Sequence, residues 1–441
     1  MKRRLLAFIF LLTLLLPCPL KAAVFYPQTK TLDNELQIVV VENHLSPAAA
    51  FMLFYKVGAA DDPKGQTGLA HFLEHMMFKG TRDVPKGAFS AKIAALGGQE
   101  NAYTTKDYTA YHTSLAAERL EDIFALEADR MKNLLLDPQE TLRERDVVLN
   151  ERKERTDNSP QGIFAEKMNE ALYGAHPYAA PIIGKKQDIQ NFTPQIVRDF
   201  YERHYAPSRA ILVVSGAVQP QEIFALAQKY FGEISAPSFA AAPLPVWTRE
   251  KGTIAVEHKD ERVKQAFFVR RWVLPEIKVQ SREALAFDVL AELLAGGEVG
   301  LAFRHFVLDQ NSATSLSASA DTLTRGPVSF VLSATPAPDH DVRDLERDVM
   351  RFLQELAQKG LTARTVVEAK QRMKDSAIFA RDRLMAPAQI LGATLAAGYD
   401  LSFIEDWPEH IDTVTTKDVH QALQTLLHAP YQARGILEGG A

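Results

Sequence analysis

The chain has 441 residues, 46% of them hydrophobic and 24% charged, with a formal net charge of −5 at pH 7. A mildly acidic balance without basic clusters interleaved with aromatics excludes a nucleic-acid partner, and the length implies two or more domains. Cys18 is the one cysteine, so no disulfide can form within the chain and stability rests on buried cores.

The N-terminus has the parts of a secretory signal: Lys2-Arg3-Arg4, an apolar run from Leu5 to Leu16 broken only by Thr13, and Leu20-Lys21-Ala22 ending in a small residue. The run is too short to span a bilayer comfortably. Pro17 is not the small residue that precedes a lipid-modified cysteine. Cleavage near Ala22 removes Lys2, Arg3, Arg4 and Lys21, which takes the charge from −5 to −9, and removes Cys18 as well. The expectation is a periplasmic or secreted protein, with residues 1–22 as signal peptide and no stable membrane anchor.

Leu36 to Glu42 and Ala49 to Val57 are β-prone runs and predict strands. Gly58 to Gly65 breaks the second and leads into a helix that carries His71-Phe72-Leu73-Glu74-His75, with Thr67 as its predicted cap. Two histidines four residues apart share one helix face, about 5–6 Å between Cβ atoms, so both rings can reach one metal ion. Glu74 lies three residues from His71 and beside His75, where its carboxylate can stand near a metal-bound water without being a ligand. The order H-x-x-E-H inverts the commoner zinc-protease motif, and by itself it lacks a third protein ligand.

Phe89 to Leu96 reads as a helix ended by Gly97-Gly98, and Asn101 to Tyr111 as a strand. Leu115 to Asn133 and Pro138 to Thr156 are helical by apolar spacing. In the second of these, Glu144 and Glu151 are two turns apart and face the same way; without the histidines they would read as solvated charges. His176, beside Pro177, reads as a loop residue. Thr193 to Gly216 gives helix, proline-containing turn and buried strand.

Residues 236–250 begin with an Ala- and Pro-rich stretch and read as a linker. The pattern then restarts, with strands at Thr253 to Glu257 and Gln265 to Trp272 and a helix from Ser281 to Ala295. Thr415 to Gly435 repeats the pattern of Thr193 to Gly216 at an offset near 222. The fold class expected is α+β, a two-copy duplication in which each domain is a mostly antiparallel sheet packed against helices. The domains are 23–235 and 251–441. Where the histidine motif would recur, the second copy reads Arg282-Glu283-Ala284-Leu285-Ala286-Phe287-Asp288, which cannot hold zinc.

Gly68-Leu69-Ala70 before the motif and Met76-Met77-Phe78-Lys79-Gly80-Thr81 after it make this region resemble the pitrilysin (insulinase, mitochondrial processing peptidase) family of inverted-motif zinc proteases. The resemblance implies one zinc ion per chain, with Glu151 as the distal third ligand beside His71 and His75, and Glu144 as a supporting carboxylate. The fourth position would be left for water, and Glu74 would act as general base. It also implies that Asn101, Ala102 and Thr104 lie on an active-site edge strand that binds peptide by β-augmentation. The activity implied is hydrolysis of peptides or small unfolded proteins in an enclosed chamber.

Active members of that family carry an Arg and a Tyr seven positions apart in a C-terminal domain. The matching segment here places Val307 and Thr314 at those positions, and neither can substitute. Either the chain is the catalytic half of a heterodimer whose homologous partner supplies the pair, or Arg304 or another residue serves. A metal-binding but non-catalytic scaffold of the same fold, and a dedicated maturase trimming one precursor peptide, stay open beside the general peptidase.

Overall fold

The computed structural model describes residues 23–235 and 243–440. The predicted signal peptide and the first part of the predicted linker lie outside the described residues. Strands β1 (Gln28–Thr31), β2 (Gln37–Glu42), β3 (Ala48–Tyr55), β4 (Gln99–Thr104), β5 (Thr109–Ala116) and β6 (Ala210–Gly216) form one sheet, in the order β1-β2-β6-β3-β5-β4. Strands β7 (Gly252–Lys259), β8 (Phe267–Leu274), β9 (Ala313–Asp321), β10 (Val328–Pro336) and β11 (Tyr431–Glu438) form the other, in the order β7-β11-β8-β10-β9. Without β1 the two orders correspond strand for strand. In each sheet one pair is parallel, β2 with β6 and β7 with β11, and the remaining pairs are antiparallel. This is the two-copy α+β fold expected from the sequence.

The first copy also contains α1 (Leu69–Met76), α2 (Ala88–Ala95), α3 (Leu120–Asn133), α4 (Pro138–Arg152) and α5 (Pro160–Tyr173). Asp137 starts α4 by accepting from the Gln139 and Glu140 amides, with Pro138 at the first helical position. Among the described residues no helix is long and apolar enough to cross a membrane.

β3 is buried along nearly its whole length because both faces of its sheet are covered, which explains a continuous apolar run in place of alternation. Phe51, Leu53 and Tyr55 join the core under the first copy's own helices. Met52 and Phe54 pack instead in a core with Ala388 and Leu391, on the helix Ala386–Ala396 of the second copy. The exchange is reciprocal: α5 lays Phe164, Met168 and Leu172 on the second sheet, against Val273, Ala433 and Leu437. Glycine permits both close approaches. A Cβ at Gly392 would fall 2.0 Å from the Phe54 ring, and one at Gly435 would fall 2.6 Å from Phe164 and Met168.

Three expectations are corrected. The segment from Asn101 to Tyr111 is a hairpin, not one strand: β4 ends at Thr104, and the Thr105 hydroxyl accepts from the Asp107 and Tyr108 amides to close the turn. The helix expected from Leu115 starts at Leu120, because Leu115 and Ala116 still pair with Ala49 and Ala48 in the sheet. Thr67 does not cap α1. Asp62 does so from outside the helix, accepting from the Gly68 amide at 2.6 Å and the Ala70 amide at 2.8 Å, while Thr67 bonds to Asp188. At the end of the predicted linker, residues 243–250 lack regular structure, and Trp247 is buried against Tyr431 with ring centroids 5.0 Å apart.

Candidate metal centre

α1 and α4 pack together and place His71, His75 and Glu151 in one group, each offering a donor atom within 4.8 Å of the others. Glu151 Oε2 lies 3.3 Å from His75 Nε2 and 3.9 Å from His71 Nε2. Donors about 2.0–2.2 Å from a shared tetrahedral ion would stand roughly 3.3–3.5 Å apart, so the Glu151–His75 separation matches zinc or a similar cation and the Glu151–His71 separation is somewhat wider. Glu151 Oε2 is also buried without a hydrogen-bond partner, as an oxygen reserved for a cation would be. The other oxygen, Oε1, is held by Arg155 at 2.8 Å, which leaves Glu151 one free donor facing the rings.

Glu144 occupies the supporting position. It accepts from His75 Nδ1 at 2.9 Å, which directs Nε2 toward Glu151, and pairs with Lys79 at 2.5 Å. Burial alone would lower the basicity of His75, but the carboxylates of Glu144 and Glu151 outweigh it and raise its pKa to about 9. Burial and then the neighbouring His75 push His71 down to about 4, which leaves it neutral. The neighbouring His75 holds Glu151 below the usual carboxylate range. Surroundings that favour positive charge at His75 favour a cation among these groups.

Glu74 lines a cavity together with His71 and Glu151. Burial raises its pKa, opposed by a hydrogen bond from Thr104 Oγ1 to Oε2 at 2.6 Å. Thr104 sits on β4, which is the free edge of its sheet. The amide of Thr105 donates to Tyr108 O, so by the antiparallel alternation Tyr103 and Asn101 bond inward to β5, while Thr104, Ala102 and Glu100 turn their backbone groups outward. Ala102 and Thr104 line the cavity with His71, Glu74 and Glu151. Asn101 is not among the lining residues; its side-chain oxygen accepts from the Ala102 amide at 2.9 Å.

The other sequence candidates lie elsewhere. Val307 packs against the core of the second copy. Thr314 bonds to Gln265 and to Thr335 O, and Arg304 is exposed with its nearest carboxylate, Asp309, at 3.7 Å. None of the three lines the cavity. His176 is a buried loop residue accepting from the Tyr178 amide. Sequence reasoning missed Lys79, Arg155 and Asp62. The first two were findable, standing four residues after His75 and Glu151, one helical turn on, just past the ends of α1 and α4.

Comparison with known proteins matches residues 37–186 to the insulinase (peptidase family M16) profile and residues 191–373 to the profile described as the peptidase M16 inactive domain. The zinc protease PqqE of Helicobacter pylori is 31% identical over 379 residues, covering 84% of each chain. The mitochondrial-processing peptidase subunit beta of Saccharomyces cerevisiae is 24% identical over 410 residues, covering 89% of this chain and 87% of that one. A crystal structure of a protease from Helicobacter pylori superimposes with a TM-score of 0.87 at 26% identity, covering 94% of this chain and 99% of that one.

Proposed function

Because this chain belongs to the insulinase family of peptidases, M16, we propose that it is an exported zinc endopeptidase and the catalytic half of a heterodimer. The observation that carries the reading is that His71, Glu74 and Glu151 line one cavity with the free edge β4, and that His75 joins His71 and Glu151 in one group of donor atoms. His71, His75 and Glu151 hold the ion, with Glu144 fixing the ring of His75. Zinc, when bound, supplies a Lewis acid that polarises a peptide carbonyl and makes water nucleophilic near neutral pH.

The chain's residues do the rest. The outward backbone groups of Thr104 and the Ala102 carbonyl pair with an extended peptide and align it beside Glu74, the Ala102 amide being held by the Asn101 side chain. Glu74 takes the proton of the attacking water and delivers it to the departing amine. The Thr104 hydroxyl holds the Glu74 carboxylate in place for both transfers.

The heterodimer is supported by the positions of Val307, Thr314 and Arg304, none of which reaches the cavity, and by a relative that is itself named as a subunit. Export is supported by the signal-like residues 1–22. The test is hydrolysis of an internally quenched peptide of about ten to twenty residues by the zinc-loaded chain starting at Ala23, alone and with homologous subunits that carry the Arg/Tyr pair. Glu74→Gln is the control. Activity only with such a partner, and lost in Glu74→Gln, is expected. Activity of the chain alone removes the heterodimer, and silence with every partner despite bound zinc favours the scaffold.

A further inference from the structure

We propose that Arg325, on the turn between β9 and β10 of the second copy, is a positioning residue for the first. Its guanidinium holds the turn that enters α1 against the turn that ends β4, and so sets Glu74 against Thr104. This deepens the peptidase reading and rests on it for the reaction that the placement serves.

The Arg325 guanidinium donates to both carboxylate oxygens of Asp61, at 2.7 and 3.0 Å, and to the Asp107 carbonyl at 3.3 Å. Its backbone amide donates to the Asp107 carboxylate at 3.2 Å. Asp61 closes the 3-10 turn Ala59–Asp61 and stands one residue before Asp62, the cap of α1. Asp107 lies in the turn that follows β4, three residues after Thr104. One side chain from the second copy therefore grips both segments that flank the pair formed by Glu74 and Thr104. Arg325 does not itself line the cavity, so it acts through these segments.

The two turns are packed so closely that they move as one. The amides of Ala59 and Ala60 donate to Thr105 O at 2.9 Å and to Lys106 O at 2.8 Å. A Cβ at Gly58 would fall 2.6 Å from the Lys106 carbonyl and from the Tyr108 nitrogen. The Gly58 amide donates to Asp61 Oδ2 at 2.9 Å, which fixes the gripped carboxylate within its own turn. Holding two carboxylate oxygens and a neighbouring carbonyl at once takes the planar fork of arginine; an ammonium can answer only one of these demands well. The gripping turn is anchored as well: the Gly326 amide donates to the Tyr178 hydroxyl at 2.9 Å, and Tyr399 donates to Thr324 O. The apolar contacts between the copies lie on the faces of the sheets, whereas this polar one reaches the turns beside the candidate metal centre.

The experiment compares Arg325→Met and Arg325→Lys with the parent, each zinc-loaded and starting at Ala23, with the partner subunit if turnover requires one. Amide hydrogen exchange, followed by mass spectrometry, should run about tenfold faster in Arg325→Met over residues 58–62 and 99–108, with little change elsewhere. On the quenched peptide kcat should fall about tenfold while KM stays within about threefold. Adding Thr104→Val should cost no more than about twofold further, because both changes act through one contact. Arg325→Lys keeps a cation opposite Asp61, so it should recover stability in urea while kcat stays about threefold low; it carries the same exchange readout if Arg325→Met does not fold. Unchanged exchange at the two turns, faster exchange spread evenly over both copies, or losses that multiply in the double variant with Thr104→Val overturns the assignment, and so does full recovery of kcat in Arg325→Lys. Faster exchange confined to the two turns, in a chain that cleaves no peptide with any partner, keeps the grip on them and removes the peptidase reading.

Discussion

Replacing Glu144 with alanine tests the supporting shell of the metal centre. Glu144 is 5% exposed and serves two groups, His75 Nδ1 at 2.9 Å and Lys79 Nζ at 2.5 Å. Losing the carboxylate that orients a metal-binding histidine costs about 10–100-fold in metal affinity, or about 1.4–2.7 kcal/mol. Losing the charge-assisted bond to Lys79 costs the metal-free chain about 1.5–3 kcal/mol in addition. The two effects separate in the double variant Glu144→Ala/Lys79→Met, which removes the stranded ammonium, restores most of the stability and leaves zinc binding weak. Zinc affinity is read by competition with a chromogenic chelator, and stability by urea unfolding in excess chelator. Unchanged zinc affinity in Glu144→Ala would refute the reasoning. Full recovery of zinc affinity in the double variant would also refute it, by showing that the effect ran through the charge of Lys79 and not the orientation of His75.

Thr104→Val should lower kcat about tenfold with KM little changed, and Thr104→Ser should restore it, because the hydroxyl holds Glu74 at 2.6 Å while the backbone of Thr104 remains for substrate; an equal loss in both variants refutes the assignment. On α3, the buried Arg130 makes two 2.7 Å bonds to Glu127 and lies 4.3–5.2 Å from the centres of the Tyr111, Phe89 and Phe78 rings. Arg130→Met alone should destabilise by about 3–5 kcal/mol, since it strands a buried carboxylate, and Glu127→Leu added to it should recover most of that in urea unfolding. Asp288, bonded to Thr322, has its pKa pushed up to about 7 by burial. A carboxyl raised in the folded state binds more protons there than unfolded, so its contribution is best below about pH 4 and declines until about pH 7, by about 2–4 kcal/mol. The stability of Asp288→Asn relative to the parent should therefore rise over that window, and a pH-independent difference would disprove it.

The metal group was legible because helical spacing fixes it: His71 and His75 share a face whatever surrounds them, and Glu144 with Glu151 do likewise one helix away. Their meeting was not legible from the residues alone, since contact between α1 and α4 depends on tertiary packing, and only the family resemblance joined Glu151 to the histidines. The hairpin at 105–108 was missed because Asn101 to Tyr111 is uniformly polar and β-prone; its break comes from a threonine hydroxyl, not from glycine or proline. The cap of α1 was misplaced for a related reason. Asp62 reaches the helix from a neighbouring 3-10 turn, whereas Thr67, in the expected sequence position, is drawn off by Asp188.

The swap of covering helices between the two copies governs how the polypeptide can be made. Phe54 and Ile211 are in the first sheet, but the helix that shelters them begins at residue 386, far later in synthesis. The first half therefore leaves the ribosome with one face of its sheet bare, and the second sheet in turn needs α5, already made and waiting. The two copies, though related by duplication, cannot mature one after the other as beads on a string. They should complete together in one late cooperative step, and a fragment ending near residue 235 should collapse into aggregates instead of yielding a smaller working enzyme.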